Sequence, residues 1–214
     1  RAGLLRLAAL AIIGACALLA LIPASVWGYV FFKKSPTQRF HFGLTFAIGA
    51  LGVFPILLYR FLLDYFPWMN FFEFAKQYEH ITFGIEKIAL IPLSVIITFM
   101  IVGIIEEVMK QRAVHAVDDR QIRSIDDAIE FSIIAALGFS FTENIIYFYN
   151  IWIAKGPEHL FVPFVFRSIF STFAHLLFSG IFGYFYGIAH FAKPELQNEM
   201  VQKRKFHTRF IHRL

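Results

Sequence analysis

Long apolar runs separated by short charged segments set the pattern of this chain. Five stretches reach the roughly 20 apolar residues that a spanning helix needs. The first runs from Leu7 to Phe32 without a formal charge, with Pro23 as a predicted kink. Its length exceeds a signal-peptide core, so it reads as a retained span. The second lies between Arg39 and Arg60, with Pro55 near its end. The third begins around Pro92, the fourth follows Glu130 and reaches Ala154, and the fifth runs from near Pro163 to Ala192. Between the second and third, Phe71, Phe74, Tyr78, Ile81, Ile85 and Ile88 recur at helical spacing, while Glu73, Lys76, Gln77 and His80 take other faces. That periodicity predicts an amphipathic helix at the membrane surface. The expected fold class is all-α: a polytopic membrane helix bundle with about five transmembrane spans plus the interfacial helix. Residues 1–192 form one transmembrane domain in this reading, followed by a basic cytoplasmic tail over 193–214.

Composition agrees with the pattern. The chain is 58% hydrophobic and 16% charged, with a mean hydropathy of +0.62, against about 45–50% apolar and about 25% charged in soluble domains. The net charge of +5 could suggest nucleic acid, but its placement argues otherwise. Lys33, Lys34 and Arg39 share one loop; Lys110, Arg112, Arg120 and Arg123 another; Lys203, Arg204, Lys205, Arg209 and Arg213 the tail. Basic residues beside spans follow the positive-inside rule. This places 33–39, 108–127 and 193–214 in the cytoplasm, and 64–87 and 155–160 outside. The expected partner is therefore the lipid bilayer, with no nucleic acid. A lone cysteine, Cys16, excludes a disulfide framework or a cysteine-based metal site within one chain.

The chemistry sits where polar residues break the spans. An uncharged run of 18 residues, Ile88 to Ile105, ends on Glu106 and Glu107. A charge near the bilayer centre costs roughly 2.5–3.5 kcal/mol on insertion scales, which makes such residues rare and usually functional. Lys110 shares a helix face with Glu106 four residues earlier. In the fourth span Glu143 and Asn144 interrupt an uncharged run, with Phe139 one turn before. The fifth carries Arg167, Ser171, His175 and Ser179 at four-residue steps, then Gly183 and Gly187. Ionisable groups on three spans are costly apart and reasonable together. Plain hydropathy puts Glu106 and Glu143 at different depths, a mismatch of about 15–20 Å at the helical rise. Framing the spans as 93–114, 130–151 and 162–183 removes it and lets Glu106, Glu107, Glu143 and His175 converge, with Lys110 and Arg167 compensating charge.

Carboxylates beside an imidazole can take a proton from water and return one to a leaving amine. His175 or Asn144 could steady a developing oxyanion. The expected site contains no required cofactor. No His-Glu-x-x-His spacing occurs, and zinc, if bound, would fall to Glu107, Glu143 and His175. The alternative is a proton- or ion-coupled transporter using the same carboxylates, against which the lack of inverted repeats counts. A scaffold that binds another membrane protein is a third reading.

Glu106-Glu107-x-x-Lys110, Phe139-x-x-x-Glu143-Asn144, and His175 with its downstream glycines resemble the PrsW family of intramembrane proteases, across roughly residues 86–191. That family is grouped with the CAAX-processing and bacteriocin-immunity membrane proteases. The resemblance implies a multi-pass protease of the bacterial cytoplasmic membrane that cuts membrane-anchored substrates resembling an anti-sigma factor. It makes Glu106 the general base on water, with Glu107 in support. Glu143 stands where the wider group has the histidine of Phe-x-x-x-His, and His175 matches the final histidine motif. Ser179 stands where that group often has Asn or Asp, and Asn144 is the expected substitute as oxyanion donor.

Overall fold

One helix organises the bundle, and its ends are written in the sequence. Ser124 caps it, its Oγ accepting from the Asp127 N–H at 3.1 Å, and Asp126 and Asp127 in the first turn suit the positive end of the helix dipole. Gly156, at φ 96°, follows its last residue. In the computed structural model, which describes residues 2–34, 38–63, 65–66, 68, 70–83, 91–116 and 121–211, this helix is α6, Ile125–Lys155. Before it come α1 (Ala2–Lys34), α2 (Arg39–Leu51), α3 (Phe54–Leu63), α4 (Phe71–Lys76) and α5 (Leu93–His115). After it come a 3₁₀ turn, α7 (Phe161–Phe166), a π-helical segment (Arg167–Ser171) and α8 (Thr172–Ile211). The tail expected beyond 192 thus continues the helix of the fifth span.

Helix α6 packs against α1, α2, α5 and α8. It is apolar on most faces and buried from Ile134 to Ser140, as a helix surrounded by others must be. Small residues set the approach distances, as they do where lipid offers no hydrophobic drive for association. A Cβ on Gly138 would run into the Phe46 carbonyl and the Ala50 nitrogen of α2, and one on Gly49 into the Ala135 carbonyl of α6. Gly183 of α8 lies against Ser132 and Ala128. Phe42 and Phe131 meet edge-on at 5.0 Å in the core beside these contacts. A second cluster joins Cys16 and Ala20 of α1 to Phe148 and Leu160. Outward faces carry large apolar side chains such as Leu18, Val26, Phe99 and Phe161. Water would not tolerate so broad an apolar surface, whereas lipid does.

Among the described residues, four helical stretches are long and apolar enough to cross a membrane: Arg6–Phe31, Arg39–Leu63, Ile125–Lys155 and Pro157–Ala192. The expected third span is α5. Its 23 residues suffice by length, but Glu106, Glu107, Lys110 and Arg112 keep it out of that group. The second span is broken at Gly52–Val53. Pro55 has no N–H to continue α2, and it sits in the first turn of α3, where none is needed. Pro23 lies inside α1 without ending it.

The amphipathic helix expected from Phe71 toward Ile88 is shorter than its periodicity suggests. It ends at Lys76, turns through 77–80, and Thr82–Phe83 pairs antiparallel with Ile91–Pro92. The Leu93 N–H donates to the Ile81 carbonyl at 2.7 Å, which removes that acceptor from any helix. The β-branched and aromatic run Ile81-Thr82-Phe83 also favours extended backbone. Residues 84–90, including Ile85 and Ile88, lie outside the described residues.

The α2–α6 contact yields a test. Gly138→Ala forces backbone against backbone and is expected to lower stability by about 1–3 kcal/mol. Gly103→Ala, in open space, is expected to be neutral or to gain up to about 1 kcal/mol from helix propensity. Thermal unfolding of the two variants in detergent measures the contrast.

Candidate active site

Helices α5, α6 and α8 each deliver acidic or basic groups to one place. Glu106 and Glu107 are adjacent on α5, and Lys110 lies one turn further on. Lys110 is 1% exposed, and its Nζ donates to Glu107 Oε1 at 2.6 Å and stands 3.8 Å from Glu106 Oε2. It also lies 3.0 Å from His175 Nδ1 of α8 and 4.8 Å from the centre of the Phe139 ring. Phe139 borders His175 as well, at 5.9 Å between ring centres. On the far side of the imidazole, Nε2 is 3.0 Å from Glu143 Oε2 of α6. His175 Nδ1 is 3.9 Å from Glu106 Oε2. Glu107 is held a second time, by Ser179 Oγ donating to its Oε2 at 2.7 Å.

With Lys110 as an ammonium, the roles of the two ring nitrogens follow. An ammonium has hydrogens to donate and no lone pair to accept with. Nδ1 therefore accepts from Lys110, and Nε2 carries the hydrogen that Glu143 accepts. The imidazole bridges Lys110 and Glu143.

A second cation holds the other end. Arg167 Nη2 donates to Glu143 Oε2 at 2.6 Å, and its Nε donates to Asn144 Oδ1. The guanidinium also lies 4.5 Å from the centre of the Tyr147 ring. Asn144 is 1% exposed, with its amide nitrogen 3.5 Å from Ser140 Oγ. Ser140 in turn meets Thr172 Oγ1 at 3.3 Å, and Thr172 donates to the Arg167 carbonyl at 2.9 Å. Asn144 thus stands behind Arg167, its amide committed on both sides.

The π-helical turn explains how Arg167 and His175 both reach Glu143. Eight residues apart, they would sit about 80° off one another on an unbroken α-helix. A π turn takes in one extra residue, which cuts the offset to about 20°. The backbone N–H of Thr172 bonds the Arg167 carbonyl across this turn.

All nine residues singled out in the sequence lie in or against this cluster. Sequence reasoning missed Ser140, Tyr147 and Thr172. The first two were readable: Ser140, Asn144 and Tyr147 follow i, i+4, i+7 spacing on the Glu143 side of α6. Nothing in the sequence announced the π turn.

The donors for a metal are present by type but not by arrangement. Among the described residues no three of His, Cys, Asp and Glu are grouped to hold an ion. Glu106 and Glu143 address opposite nitrogens of His175, and Lys110 stands among Glu106, Glu107 and Nδ1.

Arg167→Gln leaves Glu143 without its closest cation. Removing one partner of this partly buried pair costs on the order of 1–3 kcal/mol. The double variant Arg167→Gln, Glu143→Gln is expected to recover part of that loss, as read by unfolding in detergent.

No solved structure matches the chain. Protease PrsW of Shouchella clausii (strain KSM-K16) is 30% identical over 179 residues, which cover 81% of this chain and 69% of that protein. The family model described as PrsW family intramembrane metalloprotease matches residues 37–206, a span that takes in every residue of the cluster, and the chain belongs to that family.

Proposed function

We propose that this protein is a glutamate-dependent intramembrane endopeptidase that cuts a membrane-anchored protein, of anti-sigma-factor type, in a bacterial cytoplasmic membrane. Family membership supports peptide-bond hydrolysis in a membrane. The observation that carries the mechanism is the unequal restraint of the three carboxylates. Glu107 is tied to Lys110 and Ser179, and Glu143 to Arg167 and His175. The nearest cationic or imidazole nitrogens to Glu106 stand at 3.8 and 3.9 Å, beyond hydrogen bonding. Glu106 is therefore the carboxylate with lone pairs to spare for a water.

In this reading Glu106 takes a proton from that water as the oxygen bonds to the peptide carbonyl carbon. The carbonyl π electrons move to oxygen, and the negative charge develops in the field of Lys110 and Arg167. When the C–N bond breaks, its electron pair stays on nitrogen, which takes the proton back from Glu106. Glu143 and Glu107 hold the two cations and His175 in place. Asn144 and Ser179 act through Arg167 and Glu107, and Phe139 covers Lys110 and His175. The family description implies a metal. The arrangement of Glu106, Glu107, Glu143 and His175 around Lys110 does not fit one, so no step runs through it.

Purified protein in lipid vesicles with a membrane-tethered reporter tests the reading. Glu106→Gln is expected to reduce cleavage by about 10²–10⁴-fold, the usual worth of a general base. Glu158→Gln, on the exposed turn after α6, is expected to cleave like the parent. Unchanged turnover by Glu106→Gln sinks the proposal. Proton or ion flux that disappears with Glu106 while no peptide is cut would mark a transporter instead.

A further inference from the structure

We infer that the Lys110 ammonium occupies the cation position of this site in place of a divalent metal, and that removing it creates a zinc site. The inference rests on the glutamate-dependent reading above and names the group that would otherwise be a metal. Its basis is the set of atoms around Nζ. Glu107 Oε1 at 2.6 Å, His175 Nδ1 at 3.0 Å and Glu106 Oε2 at 3.8 Å are donors that a zinc ion accepts. An ion bonded to these atoms at about 2.0–2.2 Å would press against a buried ammonium of like charge. Phe139 and the neighbouring chain leave Lys110 at 1% exposure, so the ammonium has no route to solvent without repacking.

The imidazole makes the exclusion chemical as well as steric. A metal needs a ring nitrogen with a free lone pair. Nδ1 spends its pair on Lys110, and Nε2 carries the hydrogen given to Glu143. Replacing Lys110 by a side chain without charge frees the Nδ1 lone pair. It then faces the Glu106 and Glu107 carboxylates across the vacated space. One imidazole and two carboxylates with an open fourth position form an ordinary zinc donor set.

Zinc binding by the purified full chain in detergent is the test, with zinc sulfate as the probe and metal content read by mass spectrometry after desalting. The parent protein is expected to retain less than about a tenth of an ion per chain, and Lys110→Leu about one, with an affinity at least about 100-fold higher. Adding His175→Ala to Lys110→Leu is expected to abolish that binding, and Lys110→Arg to bind like the parent. One tightly held zinc per chain in the parent overturns the inference, as does a folded Lys110→Leu that gains none. Should Lys110→Leu not fold, the parent titration decides alone. The readout requires no cleavage, so loss of activity in Glu106→Gln and gain of zinc in Lys110→Leu succeed or fail separately.

Discussion

Carboxylates inside a helix bundle need cations beside them, and the arrangement of this protein follows from that need. Lys110 pairs with Glu107 within α5, Arg167 reaches Glu143 of α6 from the wide turn before α8, each at 2.6 Å, and His175 joins the two pairs. Each acid is costly at membrane depth without a partner. Together they form one connected network in which loss of a member strands the others. The helices that supply these groups are thereby coupled through polar contacts at the level where their apolar faces offer little mutual specificity.

The packing around this network serves the same end. The small residues of α6 let α2 and α8 approach closely, and Gly52, where the second span breaks, sits near the Phe139 ring. Phe139 covers both Lys110 and His175. A polar cluster whose surroundings are fixed in this way keeps its distances without help from loops. That is what positioning a water and a peptide bond requires.

Much of this was legible in the residues. Glu106, Lys110, Glu143 and His175 stood out because charge inside an apolar run demands a partner, and the demand itself placed them together before any coordinates. Reframing the spans to equalise depth anticipated the start of α5 at Leu93. Less legible was whatever depends on backbone detail. The periodicity from Phe71 onward is genuine, yet the helix stops at Lys76 and the chain turns to pair with the strand before α5. Of the five expected spans, α5 is the one whose apolar character the site's own charges dilute. Ser179 looked like one more small residue at a packing stripe, and only its reach to Glu107 sets it apart.

The wide turn at Arg167–Ser171 gives the last span a property that none of its side chains has alone. It stores one residue more than a regular helix would hold. A chain shortened by one residue there could regain an unbroken α-helix and keep every motif in the sequence. Its guanidinium and imidazole, then seven residues apart, would still lie within about 20° of each other around the helix. Among relatives, seven residues on a regular helix and eight through a wide turn would therefore present the same two groups to the acid.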